Sequence, residues 1–207
     1  MDMRICRENT SLAELLPILR QSTRAGHEAL EAEVELQTCL QTPERWLGLL
    51  ETFFRFFDPL ESLIFAAPGL EEILPDTARR RKCDLLKDDI ERLGGDTAKL
   101  VACRHLPPVG TAAERLGVLY VMEGSTLGGQ IIARMAADHG FTREHGCAYF
   151  AAYGAEAGAM WKRFCARLEE YGAARPEDHQ AVVEAAVATF TLFGQWIRCS
   201  KQGISHP

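Results

Sequence analysis

Gly117-Val-Leu-Tyr-Val-Met-Glu-Gly124-Ser-Thr-Leu-Gly128-Gly129-Gln130 sets four glycines in a stretch that otherwise reads as one amphipathic helix. An interior glycine costs a helix roughly 1 kcal/mol against alanine, so these residues answer to something other than helix stability. At about 100° per residue, Gly117, Gly124 and Gly128 fall within roughly 40° of one another, with Tyr120 on the same stripe. A helix bare along one face lets its backbone approach a broad object. That object is either another helix, for which Gly124-x-x-x-Gly128 is a small-residue packing motif, or a planar ligand.

Around this stretch the helix punctuation is dense. A first helix is predicted from Leu12 or Pro17 to near Cys39, and a second from Thr42-Pro43-Glu44, an N-cap followed by proline at the first helical position. Pro75-Asp76-Thr77 opens a third, ending at Gly94-Gly95. Thr111-Ala-Ala-Glu114 is a capping box that starts the glycine-bearing helix, which runs on to Gly140. A fifth helix spans Ala155 to Tyr171 and stops at Gly172; a sixth follows Pro176 to about Cys199. Gly146 to Tyr153 reads as a loop or a short extended piece. No hairpin dipeptide separates alternating runs, so the fold is expected to be all-α.

The 207 residues, 47% hydrophobic and 25% charged, suffice for a well-filled core and are too few for two domains. One domain over 1–207 is expected, with flexible ends at 1–10 and 200–207. A net charge of −6 argues against nucleic acid as a partner. The chain starts without an apolar leader, and no stretch approaches 18 uncharged apolar residues, so a cytoplasmic protein with no membrane partner is expected. Seven cysteines without a C-x-x-C pair suit reduced, buried thiols. The run Arg79-Arg80-Arg81-Lys82 reads as a solvated basic face, or as a dock for an acidic protein.

Arg20-Gln-Ser-Thr-Arg-Ala-Gly-His27-Glu-Ala-Leu-Glu31 is the second informative cluster. Glu31 lies one turn beyond His27, where its carboxylate can face Nδ1 directly or through a water and leave Nε2 free. Arg20 lies seven residues back on nearly the same face, about 10 Å along the axis. Taken alone, the segment also reads as a solvated pair beside an unrelated arginine. E-x-x-H, H-E-x-x-H, a P-loop and G-x-G-x-x-G are all missing, which removes di-iron, zinc-hydrolase and nucleotide chemistry. His105, His139, His145, His179 and His206 read as loop, cap or tail residues.

Together, Leu19-Arg-Gln-Ser-Thr-Arg-Ala-Gly-His27-Glu-Ala-Leu-Glu31 and Leu116-Gly-Val-Leu-Tyr120-Val-Met-Glu-Gly124-Ser125-Thr-Leu-Gly128-Gly129 resemble the proximal and distal helices of the heme oxygenase family. The likeness is nearer the bacterial branch, which includes enzymes that supply biliverdin to bacteriophytochromes. A weaker likeness in Met160–Leu168 and Ala188–Trp196 extends it over most of the chain.

The resemblance implies a helical bundle with heme between a proximal helix and a kinked, glycine-rich distal one. It makes His27 the iron ligand and metal site, supported by Glu31, and gives Arg20 and Tyr120 to the heme propionates. Gly124, Gly128 and Ser125 form the implied catalytic set; animal members carry Asp where Ser125 stands. Heme would be substrate and cofactor, opened with O2 to biliverdin, carbon monoxide and ferrous iron. Electrons would come from a ferredoxin or a flavin reductase, and biliverdin would pass to a bacteriophytochrome. The rivals are a heme carrier or sensor with the same slot and no turnover, and a thiaminase-like protein, for which no matching Cys and Glu set is found.

Overall fold

The computed structural model describes residues 14–202 as helices joined by short turns, with an isolated bridge pairing from Thr142 to His145 and Gly146 as the only β-type contact among them. The expected flexible segment at 1–10, and the tail from 203 with His206, lie outside the described residues. Ser200 and Lys201 belong to a helix rather than to a tail.

α1 (Leu15–Val34) has no cap of its own; the Glu169 carboxylate supplies one, accepting from the Leu15 and Leu16 N–H groups at 3.2 and 2.7 Å. The predicted run to Cys39 breaks at Glu35, which turns left-handed (φ 47°) and leaves α2 (Leu36–Cys39) as a separate turn. α3 (Pro43–Ala66) starts as predicted, with the Thr42 hydroxyl accepting from Arg45 N–H. It runs straight through Pro59, whose missing N–H orphans the Arg55 carbonyl. Cys103 N–H takes that carbonyl at 2.7 Å, so the following loop repairs the helix.

The third predicted helix is corrected. After α4 (Leu70–Ile73) and a tight turn at Thr77–Arg80, the chain is extended at Arg81, and α5 begins only at Cys83 and ends at Arg92. Residues two apart point to opposite sides of a helix but to the same side of an extended chain. Both Arg80 and Lys82 reach the same buried carboxylate, Glu123, and a helix through them could not allow it. Glu61 then caps α5 from α3, accepting from Lys82 and Cys83 N–H at 2.8 and 3.2 Å. Burial pushes the Glu61 carboxyl above its usual range, and those two N–H groups oppose the shift.

α6 (Ala112–Ala137) carries the glycine stripe and opens with the predicted capping box of Thr111 and Glu114. Gly146 to Tyr153 contains a short helix, α7 (Ala148–Ala151), instead of a loop or extended piece. The Asp89 carboxylate on α5 accepts from Ala148 and Tyr149 N–H, both at 2.8 Å, and nucleates a turn that the local residues do not specify. α8 (Ala157–Ala174) continues two residues past Gly172, which is a close-contact position: a Cβ there would stand 3.0 Å from His179 Nε2. α9 (His179–Lys201) completes the bundle, and His179 ties its start to the Gly172 carbonyl at 3.0 Å.

One core joins α1, α3, α6, α8 and α9; a smaller one around Trp46, Ile90, Phe141 and Phe150 joins α3, α5, α7 and the far end of α6. The glycines of α6 divide between these tasks. A Cβ on Gly117 would collide with the Val182 carbonyl of α9 and meet Ala185 Cβ at 2.9 Å, and one on Gly129 would stand 2.7 Å from the Phe150 carbonyl. Of the two readings open for the stripe, a partner helix or a planar ligand, Gly117 takes the first. Gly117→Ala is expected to destabilise the fold by about 1–3 kcal/mol through overpacking. Gly128→Ala, where a Cβ meets nothing within 4 Å, is expected to be neutral or stabilising by up to about 1 kcal/mol. Urea denaturation of the two variants checks the contrast.

Candidate active site

α1 and α6 each lie along α9 but are not packed along one another. Their heights can be read off α9. Ile18 of α1 shares a surface hollow with His179 and Val183, and Gly26 meets Phe190, where a Cβ would stand 2.9 Å from the Phe190 Cβ. On α6, Gly117 meets Val182 and Ala185, and Tyr120 reaches Thr23 of α1. The contacts run in the same order on all three helices, so His27 and Gly124 stand at matching heights, one turn beyond the Thr23 and Tyr120 contact.

The His27 imidazole is edge-on to Phe190, with ring centroids 5.7 Å apart at 71°, and its side chain is 55% exposed. Nδ1 lies 3.7 Å from Glu31 Oε2. That is longer than a direct hydrogen bond, and a small rotation of the exposed Glu31 side chain closes it. Nε2 has no partner among the described residues.

Across from it, Gly128 faces open space, flanked by Leu127 and Ile131, which are 40% and 55% exposed. Trp161 of α8 borders Gly124, its ring 3.5 Å from where a Cβ would stand, and stacks on Phe164. Tyr120 is buried and 5.5 Å from the Trp161 ring. Burial raises its phenol above the ordinary value; the Thr23 hydroxyl and the Arg20 guanidinium pull the other way, which places Arg20 beside it. Burial also pushes the Cys165 thiol up to about 11, again opposed by Arg20.

Ser125 is exposed and its hydroxyl donates to the Met122 carbonyl at 2.9 Å, while Thr126 donates to the Glu123 carbonyl at 2.6 Å. Such bonds back along the chain tend to bend a helix. The helical run of α6 is nevertheless unbroken. An exposed imidazole, an uncovered apolar helix face and a glycine with nothing above it fit a flat, largely apolar ring with a metal at its centre.

The residues missed from sequence are Trp161, Leu127, Ile131 and a buried charge cluster behind α6. Glu123 is fully buried and accepts from Arg80, Lys82 and Tyr153. Arg80 also clamps Asp76 with two bonds, at 2.7 and 2.9 Å. The basic run is thus not a solvated face: Arg80 and Lys82 are interior, and exposed Arg79 pairs with Glu156 at 2.9 Å. A lone carboxylate, Glu123, directly after the apolar run Leu116 to Met122 was the available signal.

An all-α bundle that brings an exposed imidazole level with an uncovered stretch of a glycine-rich helix is compatible with a heme-binding class of protein. The family model described as heme oxygenase matches residues 13–199, and the chain belongs to the heme oxygenase family. It is 38% identical over 120 residues to the heme oxygenase of Xanthomonas campestris pv. campestris (strain 8004), spanning 58% of this chain and 67% of that one. Its fold is similar to that of the NO- and CO-bound heme oxygenase from Neisseria meningitidis, with a TM-score of 0.81 and 20% identity over 93% of this chain and 94% of that one. Heme oxygenase 2 from Chlamydomonas reinhardtii, crystallised without heme, gives a TM-score of 0.73 at 20% identity, over 89% and 96%. The chain is accordingly a heme-degrading enzyme that takes heme as substrate and cofactor, with O2 and a reductase partner, to biliverdin, carbon monoxide and ferrous iron. Among the described residues no helix is long and apolar enough to cross a membrane.

Removing the Glu123 carboxylate leaves the buried Lys82 without its ion-pair partner and Arg80 with Asp76 alone. Glu123→Leu is expected to cost about 3–5 kcal/mol in guanidinium denaturation, far more than loss of the exposed Arg79 to Glu156 pair.

Proposed function

We propose that heme lies between α1 and α6, with His27 Nε2 as the iron ligand and the backbone at Gly124 and Gly128 as the opposing wall. The observation that carries this reading is the exposed His27 imidazole level with an α6 face that no side chain covers at Gly128. Bound there, heme supplies both the oxygen-activating iron and the ring that is cut.

The residues of the chain divide the remaining work. Glu31 holds Nδ1 and so fixes the tautomer that leaves Nε2 free to ligate. Phe190 sets the plane of the imidazole from below. Gly124 and Gly128 allow close approach of the main chain, and the Ser125 hydroxyl is spent on the Met122 carbonyl. The α6 wall therefore offers neither a carboxylate nor an imidazole as a proton donor, and we assign Ser125 a role in shaping that wall through its backbone. Arg20 and Tyr120, neighbours at one rim, bind the propionates and set the rotation of the ring; a guanidinium offers a broader hydrogen-bonding fork than an ammonium would. Trp161 closes the slot beside Gly124.

The electron donor we propose is a ferredoxin or a flavin reductase, since the chain has no nucleotide motif of its own. The onward step is delivery of biliverdin to a bacteriophytochrome, supported by the resemblance of Tyr120–Gly129 to that bacterial branch. We place the reaction in the cytoplasm, a setting that suits the free cysteines among the described residues. We read the catalytic unit as a single domain.

Hemin titration tests the site. The wild type is expected to give a Soret shift that His27→Ala alters, and reductant in air should replace that band with biliverdin absorption. A ferric complex that survives reductant and air would establish the carrier reading instead. Arg20→Glu is expected to change the biliverdin isomer ratio or to weaken hemin binding; an unchanged ratio with unchanged affinity removes Arg20 from the rim.

A further inference from the structure

A second cavity, of about 350 Å³, opens against the first turn of α6 and is lined by Ala112, Arg115, Glu72, Tyr171 and Arg175 among others. Arg115 lies nine residues before Gly124, about 180° around the helix, so this cavity is on the far side of α6 from the heme slot. Arg115 is only 7% exposed. Its Nε is buried without a hydrogen-bond partner, and its guanidinium makes no hydrogen bond or ion pair with any described residue.

The other two buried cations make the contrast, since Arg80 and Lys82 both end on Glu123. A buried guanidinium nitrogen left without a partner, on a side chain that lines a cavity, points to an ion or ligand that completes it. The surroundings favour an anion. The amino end of the 26-residue α6 adds partial positive charge at Ala112. Arg175 stands at the outer wall with its guanidinium 5.2 Å from the centroid of the Tyr171 ring. The Tyr171 hydroxyl is committed to Asp178, so the ring serves as an apolar floor. Exposed Glu72 is the one carboxylate in the lining and calls for a hydrogen-bond donor on the same ligand.

We propose that this cavity is a second binding site, for a small hydroxylated oxyanion whose phosphate or carboxylate group pairs with Arg115 and Arg175 while a hydroxyl donates to Glu72. The site is independent of heme. It shares α6 with the heme slot, so an occupant would bear on the same helix that walls the substrate.

The test uses the full chain loaded with hemin in a chloride-only buffer, with glycerol 3-phosphate and malate as probes in calorimetric titration and thermal melting. At least one probe is expected to bind and to raise the melting temperature; response to the first alone marks a phosphate site, and to the second a carboxylate site. Arg115→Met is expected to weaken binding at least tenfold and, without anion, to melt at or above the wild type, because it removes an unpaired charge while keeping the bulk. A purely structural Arg115 would instead give a variant that melts lower. Should Arg115→Met fail to fold, Arg175→Ala, at an exposed position, is expected to weaken the same binding severalfold. No binding of either probe by the wild type, or wild-type affinity in both variants, overturns the proposal.

Discussion

The Gly117 backbone rests directly on the Val182 carbonyl of α9, and the placement of everything around the candidate site depends on that contact. It sets the depth of α6, as Gly26 against Phe190 sets the depth of α1. Two helices that each dock firmly on a third have no need to pack on one another. The gap between them is therefore a product of good packing elsewhere, and it can stay open without weakening the core.

Charge holds α6 from behind in the same way that glycine holds it from the side. Glu123 takes both Arg80 and Lys82 in the interior, and Asp76 completes Arg80. Such a cluster contributes little net stability, because desolvating four charges offsets most of their attraction. Its effect is geometric. Only one rotation of α6 delivers Glu123 to both cations, and that rotation turns Gly124 and Gly128, about 100° and 140° further round, away from the cluster. Electrostatics on one face thus fixes the register of the bare face that we propose walls the heme.

Much of the candidate site could be assembled from the sequence, and the losses have particular causes. His27 with Glu31, and Gly124 with Gly128, could be paired because helical spacing is a local rule. Gly117 was indistinguishable from them by spacing alone, since a glycine that receives a neighbouring helix and one that faces open space have the same residue type and angle. The basic run misled for a related reason: whether Arg80 points out or in depends on a carboxylate 43 positions away. Trp161 carried no signal of its role, because its contact with Gly124 exists only once α8 lies against α6.

The sequence by itself determined the all-α class, the starts of α3 and α6 at their threonine caps, the end of α5 before Gly94, and the residue types available to heme. All of these rest on bonds and sterics within a few residues. Tertiary structure decided that the third helix begins at Cys83, that Asp89 raises a turn at Ala148, that the glycines of α6 divide between packing and an open wall, and that Arg115 is buried without a counter-ion. Each of those outcomes turns on a partner distant in the chain, and which distant groups meet is settled only when the helices pack.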